Sequence, residues 1–316
     1  MLNLIIGLFF VYLILSMLCS GIQEAIAGWI RLRGRMLLGA IQQMLSNQDK
    51  DKNLDHTLFD AFQDHQWFHS LKRSKLTMVQ SMLPIKKFPS YIQKSTFTSI
   101  LLQILGGSNS PEQIRNTVDS MNEGRLKDFL SNLISDAKGD AEALKTSIET
   151  WYDSTMHEVT LWYKTRSHTM LFVIGFLLAS ILNADTFSIY KKLSSNPETA
   201  EQIANLADAY VNSGRYQPID TLRDDSTMVA QLDTLSQNLI TIVNEDLASV
   251  YTPLGLGWHD SDVDLGNPYW WLIKLLGLLI TTFAIAMGAS FWFNLLKSLL
   301  SWRKSSAEAP PPPPSN

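Results

Sequence analysis

The chain has 316 residues, a mean hydropathy of +0.01 and a net charge of −4. Its single cysteine, Cys19, excludes an internal disulfide framework and a zinc module built on cysteine pairs. Nearly all the continuous apolar sequence lies in three stretches, which are separated by two long polar intervals. This segregation predicts an integral membrane protein whose intervals could each fold in water.

The first apolar stretch, residues 2–23, contains no charged residue and is long enough to cross a bilayer as a helix. A cleavable signal peptide is the rival interpretation, because Ala25-Ile26-Ala27 resembles a cleavage site. Such a peptide normally starts with positive charge, whereas residues 1–7 contain no Lys or Arg. Three arginines follow the stretch at positions 31, 33 and 35, so we predict an uncleaved span with its N-terminus outside.

The following interval, residues 24–166, is predicted to be a helical cytoplasmic module. Its strongest helix pattern begins near Asp140 and runs without a break into the second apolar stretch, which predicts one helix of about forty residues. A broad aromatic face on this helix has two open interpretations: packing against the module, or docking of a partner protein. That face contains Trp151, Tyr152, Val159, Trp162 and Tyr163, of which Trp162 and Tyr163 are the candidates for docking.

A histidine pair in the same module is a weak metal-site candidate. His65 and His69 stand four residues apart, so on a helix they would share one face, as zinc ligands often do. Gln66 follows His65, where a zinc metalloprotease would have a glutamate. The pattern is therefore incomplete, so a metal at His65 and His69 stays an open, weak candidate, and we expect no cofactor.

The second stretch, residues 167–184, lacks Asp, Glu, Lys and Arg, and it follows Lys164 and Arg166. We therefore predict that this span starts on the cytoplasmic side. The outer interval, residues 185–270, is predicted to be a small acidic helical module, in which Asn196-Pro197 has the pattern of a helix start.

The charges of the two intervals agree with these sides. Residues 28–167 contain 18 Lys plus Arg and 15 Asp plus Glu, whereas residues 185–270 contain 4 and 13. Basic residues concentrate on the cytoplasmic side of inner-membrane proteins, so the first interval is predicted inside and the second outside.

The third span is predicted within residues 271–297, with its apolar part from Leu275 to Leu296. Arg303 and Lys304 follow it and predict a cytoplasmic C-terminal side, while Lys274 at the outer edge is expected to snorkel to the headgroups. Residues 298–316, which contain five consecutive prolines, are predicted to form a disordered tail. Two pairs of small residues suit close helix packing within the chain or between subunits: Gly277 with Thr281, and Ala284 with Gly288.

No catalytic motif is evident. The sequence contains no phosphate-binding loop followed by Lys-Ser or Lys-Thr and no Gly-x-Ser-x-Gly elbow. The three apolar stretches contain no Asp, Glu, Lys or Arg, which argues against an ion or proton pump.

Several short motifs resemble a widespread family of uncharacterised bacterial inner-membrane proteins with three transmembrane helices. The resemblance extends from Ser20 to about Leu296 and implies the topology without implying an activity. The motifs that carry it are Pro89-Ser90-Tyr91-Ile92, Trp162-Tyr163-Lys164, Phe172-x-Ile174-Gly175, Leu182-Asn183-Ala184-Asp185-Thr186 and Gly288-Ala289-Ser290-Phe291-Trp292-Phe293.

The sequence therefore predicts a mostly α fold, with three transmembrane helices, a helical cytoplasmic module and a small helical extracytoplasmic module. The expected function is a membrane scaffold or anchor that contacts the lipid bilayer and docks a protein partner or further copies of itself, with no nucleic-acid partner. Two alternatives stay open: a membrane-bound metal-dependent hydrolase that uses His65 and His69, and a subunit of an oligomeric channel or transporter.

Overall fold

A computed structural model describes residues 1–30, 32–48, 54–71, 89, 91–106, 111–214, 216, 240–258 and 268–307. The described chain is almost entirely helical, which confirms the predicted mostly α class. Among these described residues, two helices are long and apolar enough to cross a membrane, or up to three if one bent pair forms a single span. The chain is thus a mostly α protein with helices of the length and composition of membrane spans.

The described residues form two compact units. One, called the span unit here, contains those of Met1–Ile26, Arg166–Arg223 and Ala230–Asn316; the other, the interval unit, contains those of Ala27–Thr165. The described residues of the predicted outer interval therefore belong to the same unit as the apolar helices.

The interval unit is built from short helices and a minimal antiparallel pairing of two strands. Its strands pair Asn47 with Asp55 and Gln48 with Leu54. The elements, in chain order, are α2 (Leu32–Leu45), β1 (Asn47–Gln48), β2 (Leu54–Asp55), α3 (Thr57–Asp64), α4 (Gln66–Leu71), α5 (Lys94–Ile104), α6 (Pro111–Asp119), α7 (Arg125–Asp136) and the first half of α8 (Ala141–Ile181).

Helix α8 has 41 residues and is continuous, as the sequence predicts. Within the interval unit its aromatic face packs on the core. Tyr152 is 2 % exposed, stacks on Phe97 at 4.6 Å between ring centroids and donates a 2.6 Å hydrogen bond to the carbonyl of Ile92. Burial raises the pKa of the Tyr152 hydroxyl. Of the two interpretations of the aromatic face, packing against the module is therefore the one that holds for Tyr152.

The span unit contains the remaining helices, arranged around α1. Of the most apolar part of α1 (Leu2–Trp29), 67 % is buried inside the structure, against 39 % for that of α12 (Pro268–Ala286). Ile6, Leu13 and Ile14 are fully buried. The elements are α1 (Leu2–Trp29), the second half of α8, α9 (Thr186–Ser195), α10 (Pro197–Asn212), a π-helical turn (Ile242–Leu247), α11 (Ala248–Leu254), α12 (Pro268–Ala286) and α13 (Ala289–Ala307).

Helix α10 begins where the sequence predicts, because the side chain of Asn196 accepts a hydrogen bond from the N–H of Thr199 and Pro197 occupies the first turn. Its buried face covers α1. The ring of Tyr210 contacts Phe10 at 5.7 Å, and its hydroxyl donates to the sulfur of Met17 at 3.2 Å. An amphipathic helix of the predicted outer interval therefore lies against the first apolar helix.

The second predicted span ends in a bend. Helix α8 ends at Ile181, a short turn follows, and α9 begins at Thr186 with its axis bent by 49° from that of α8. The thiol of Cys19 contacts the carbonyl of Leu171 at 3.4 Å, and the hydroxyl of Tyr12 contacts that of Thr186, just beyond α8. Tyr12, the earlier residue of α1, contacts the later position 186, and Cys19 contacts the earlier position 171, so α1 and α8 are antiparallel.

The third predicted span, Leu275–Leu296, is not a single helix. It is divided at Met287 and Gly288, where Gly288 has a φ of +87° that favours glycine. Helix α12 is antiparallel to α8, since Lys274 contacts Asp185 and Phe283 contacts Phe172. Helix α12 therefore runs in the same direction as α1.

Helix α13 runs the opposite way. The hydroxyl of Ser290 contacts that of Tyr216, beyond the C-terminal end of α10, whereas the guanidinium of Arg303 donates to Asn205 within α10 at 2.8 Å. Helix α13 is therefore antiparallel to α10. Gly7 lies next to Ile203 and Phe10 next to Tyr210, so α10 follows the direction of α1. The break at Gly288 therefore reverses the chain.

This reversal corrects two expectations. Residues 298–307, predicted to belong to a disordered tail, continue helix α13, while the five prolines lie outside the described residues. Lys304, predicted on the cytoplasmic side, forms a 3.1 Å ion pair with Asp208, predicted on the outer side. An ion pair of this length cannot bridge a bilayer about 30 Å thick, so the two side chains lie on one side.

We predict that cysteines introduced at Gln202 in α10 and Ser301 in α13, both exposed, react from the same side of the membrane. The measurement is labelling of intact and permeabilised cells with a membrane-impermeant maleimide, in a Cys19→Ala background that removes the native thiol. Labelling of the two positions from opposite sides would indicate that the third span crosses the membrane as a straight helix, and it would contradict the reversal.

Candidate functional site

A polar cluster occupies the turn between α8 and α9. Asn183 adopts a left-handed conformation with a φ of +51°, which asparagine tolerates better than most residues. Its side-chain amide donates to the carbonyl of Gly257 at 2.8 Å, and the N–H of Gly257 donates to the carbonyl of Leu182 at 2.9 Å. The loop before α12 is thereby tied to the end of α8.

Asp185, the last residue of this turn, pairs with Lys274 on α12. The two side chains are almost completely buried, with whole-residue exposures of 2 % and 7 %. The Asp185 carboxylate also accepts the N–H of Ser188 at 2.9 Å and so caps the start of α9. A single carboxylate therefore joins α8, α9 and α12.

Lys274 does not extend to the lipid headgroups, in contrast to the sequence-based expectation. Its ammonium lies 5.5 Å from the ring centroid of Trp258 and 6.0 Å from that of Trp270, distances at which a cation is attracted to an aromatic face. The buried carboxylate of Asp185 neutralises it, because an unpaired charge would be strongly unfavourable there. Lys274 therefore holds the N-terminal part of α12 against the turn.

A chain of hydroxyl groups lies beside the ion pair. The Tyr12 hydroxyl contacts that of Thr186 at 2.9 Å, and Thr186 contacts the Thr281 hydroxyl at the same distance. Thr281 donates to the carbonyl of Gly277 at 3.0 Å. These hydrogen bonds join α1, α9 and α12. The hydroxyls are hydrogen-bonded and the neighbouring charges neutralise each other, so none of these groups is arranged as an activated nucleophile.

Of the four small residues predicted to pack helices, Gly277 and Thr281 lie in this cluster, whereas Ala284 and Gly288 lie near the end of α12. A side chain at Gly277 would collide with the Asp185 carboxylate, because a Cβ atom there would lie 2.7 Å from its Oδ1. Ala284 offers its carbonyl to the indole N–H of Trp292 at 2.6 Å, which connects α12 and α13 across the break. Gly277 and Thr281 thus pack against α9 of the same chain, while Gly288 permits the reversal.

The interval unit has a separate open cleft of about 570 Å³. Its walls come from α2, α7 and α8, and its lining includes the side chains of Gln42, His56, Arg125, Phe129 and Trp151. The ring centroids of Phe129 and Trp151 lie 4.7 Å apart and form an aromatic wall. The lining residues that the structure describes include no Asp or Glu.

A hydrogen-bond network fixes one end of this cleft. Asn47, which is 4 % exposed, donates to the carbonyl of Asn122 at 2.7 Å and accepts the N–H of Leu126 at 3.1 Å. Asn47 thereby caps α7, whose own N-cap residue, Gly124, has no side chain to do so. A Cβ at Gly124 would lie 2.2 Å from the Asn47 oxygen, so this position requires glycine.

Asp55 supports the network from the neighbouring strand. Its carboxylate accepts hydrogen bonds from the hydroxyl and the N–H of Thr57 and from the side chain of Asn122. Hydrogen bonding by Thr57 lowers the pKa of the Asp55 carboxyl, because it favours the charged form.

Of the two candidate metal ligands, the structure describes the side chain of His65 alone. Nε2 of His65 contacts the side-chain oxygen of Gln103 at 3.0 Å, and its Nδ1 contacts the N–H of Trp67 at 3.3 Å. The His69 side chain lies outside the described residues. Among the described residues, no group of three His, Cys, Asp or Glu side chains could hold a metal ion.

The candidate docking residues on α8 differ in exposure. Trp162 is 49 % exposed beside Leu161 at 42 %, whereas Tyr163 is partly buried and contacts another residue. Val159, one turn earlier, is 8 % exposed. Trp162 thus stays available to a partner protein or to lipid headgroups.

Both clusters escape sequence reasoning for identifiable reasons. Asp185 and Lys274 flank apolar stretches, where charges ordinarily mark the membrane boundary, and nothing local indicates that the two residues meet. The cleft combines His56, Arg125 and Trp151, which are widely separated in the chain and belong to no short motif.

Comparisons of the chain with protein-family models, with curated proteins and with solved structures found no match. The resemblance of its short motifs to a bacterial membrane family therefore stays a prediction.

We predict that Lys274→Met and Asp185→Asn each lower the free energy of unfolding by about 3–5 kcal/mol, because each leaves a buried charge unpaired. The double variant should recover most of this loss, since neither charge remains. The measurement is thermal or denaturant-induced unfolding in detergent. Lys94→Met is the matched control, because Lys94 and Asp153 form an exposed pair, and such pairs contribute about 0–1 kcal/mol. Equal effects of Lys274→Met and Lys94→Met would contradict the structural role of the buried pair.

Proposed function

We propose that the protein is a membrane scaffold or anchor of a bacterial inner membrane, in which the span unit inserts into the bilayer and the interval unit docks a protein partner or another copy. The single observation that carries the proposal is an exposed apolar face on the span unit. The flanking arginines support placing the N-terminus outside, with the interval unit in the cytoplasm.

The apolar face lies on the neighbouring helices α8 and α12. These helices touch through Phe172 and Phe283, whose ring centroids are 5.1 Å apart. Contiguous apolar surface of this kind is rare on water-soluble monomers. The members that are about half exposed or more include Val173, Leu177, Ile181, Leu272, Ile273, Leu275, Leu276 and Phe283.

Docking by the interval unit is supported by its cleft. The aromatic wall of Phe129 and Trp151 and the exposed cation of Arg125 provide the two kinds of contact that dominate protein interfaces. Since Asn47 and Asn122 fix one end of the cleft, little ordering would be needed when a partner binds.

We predict that Leu276→Glu and Phe283→Glu, on the apolar face, reduce the fraction of protein retained in membranes after an alkaline wash. Their side chains are 48 % and 62 % exposed, so the substitutions place a charge against lipid and leave the packing of the core unchanged. Asn294→Glu, at an exposed polar position of α13, is the control and should leave retention unchanged. If the three variants were retained equally, the apolar face would not contact lipid.

A second candidate function, the subunit of an oligomeric channel or transporter, is supported by a polar surface on the same unit. Helices α10 and α13 expose Gln202, Asn205, Asn294, Lys297 and Ser298. These side chains are poorly suited to lipid and require water or another polypeptide. If polar surfaces of several copies enclose water, the detergent-purified protein should be oligomeric by light scattering, and a single copy would contradict this candidate.

A further inference from the structure

We propose that the cleft of the interval unit binds a peptide segment of a partner protein in which an acidic residue stands next to a large aromatic residue. This inference rests on the proposed docking function and specifies the chemistry of the docked partner. It depends on three observations: the charge of the cleft, its aromatic wall and its preformed shape.

The charge of the cleft selects an anion. The Arg125 guanidinium is exposed and has no hydrogen bond or ion pair with another described residue. Among the described residues that line the cleft there is no carboxylate, whereas Lys94 and Lys127, elsewhere in the unit, do form ion pairs. A carboxylate of the ligand can accept two parallel hydrogen bonds from such a guanidinium.

The aromatic wall selects an apolar neighbour for that carboxylate. Trp151 is partly buried, and its ring contacts both Phe97, at 6.3 Å, and Phe129. The indole is therefore held in place, whereas Phe129 remains 36 % exposed. An aromatic side chain of the ligand can pack on the exposed edge of the Phe129–Trp151 pair, in the same kind of ring contact that these two side chains make with each other.

The polar groups of the cleft suit a peptide backbone. Ser46 donates its hydroxyl hydrogen to the carbonyl of Gln42 and contacts Nδ1 of His56 at 2.7 Å. A neutral His56 must then donate from Nδ1, which leaves Nε2 as an acceptor for a peptide N–H. The exposed amides of Gln42 and Gln43 offer both donors and acceptors. These groups match an extended segment better than a compact metabolite.

The shape of the cleft exists before binding. Its volume of about 570 Å³ lies within the range of about 300–1,000 Å³ typical of ligand pockets. Because Asn47 caps α7 and bonds the Asn122 loop, the helix that carries Arg125 and Phe129 is fixed relative to α2. A preformed site binds with a smaller loss of conformational entropy.

The test uses the full-length protein in detergent and a fluorescein-labelled peptide of alanine and serine that carries one glutamate followed by one tryptophan. Two matched peptides replace the glutamate by glutamine or the tryptophan by alanine. Fluorescence polarisation should show binding of the first peptide, and each replacement should weaken it about tenfold or more.

Variants of the protein assign the binding to the cleft. Arg125→Gln should weaken the acidic peptide about tenfold or more yet leave the glutamine peptide nearly unchanged, and Phe129→Ala should weaken both peptides. Arg115→Gln is the matched control, because Arg115 is exposed on α6 and does not line the cleft. Unchanged thermal unfolding of each variant verifies that it is folded.

Equal affinity of the wild-type protein for the glutamate and glutamine peptides, or of wild type and Arg125→Gln for the acidic peptide, would overturn the inference. So would the absence of peptide binding together with Arg125-dependent binding to vesicles that contain phosphatidylglycerol, which would identify an anionic membrane as the ligand. Failure of peptide binding with normal membrane retention refutes only this inference, whereas loss of retention by wild type refutes the proposed anchor.

Discussion

The need to cover helix α1 determines the structure of the span unit. Its 28 residues include apolar side chains on every face, and a helix of this kind is stable only in lipid or inside protein. Here protein provides most of the cover, as the complete burial of Ile6, Leu13 and Ile14 shows. Helix α10 lies against α1 for this reason, and α13 can reach α10 only because the chain reverses at Gly288.

Within this arrangement, the polar groups hold helices together. The Asp185–Lys274 pair and the hydroxyls of Tyr12, Thr186 and Thr281 connect elements that are far apart in sequence. Buried polar groups of this kind contribute less to net stability than to a unique arrangement, because only one register pairs all of them. The span unit is thus fixed in one geometry, which suits an anchor better than a mobile carrier.

Local patterns predicted the parts of the fold that depend on neighbouring residues. The uninterrupted period from Asp140 predicted the 41-residue helix α8, and Asn196-Pro197 predicted the start of α10. The reversal at Gly288 was not predictable, because an apolar run looks the same whether its helix continues straight or turns back. Gly288 and Ala284 suggested close packing, whereas the break is visible only in the structure, in the positive φ of Gly288 and the contact of Trp292 with Ala284. Arg303 and Lys304 suggested a cytoplasmic end because basic residues that follow an apolar stretch usually lie on that side. Their charge alone does not reveal that both side chains contact α10.

The arrangement of the span unit depends on the pairing of α13 with α10, and the native ion pair between Lys304 and Asp208 provides a direct test of that pairing. A zero-length carbodiimide cross-linker applied to intact membranes should join these two side chains, whose charged atoms lie 3.1 Å apart, and mass spectrometry should detect the linked peptides. Lys94 and Asp153, 3.0 Å apart in the interval unit, serve as the positive control. Recovery of both links is the expected result. Recovery of the Lys94–Asp153 link without the Lys304–Asp208 link would show that α13 does not return along α10.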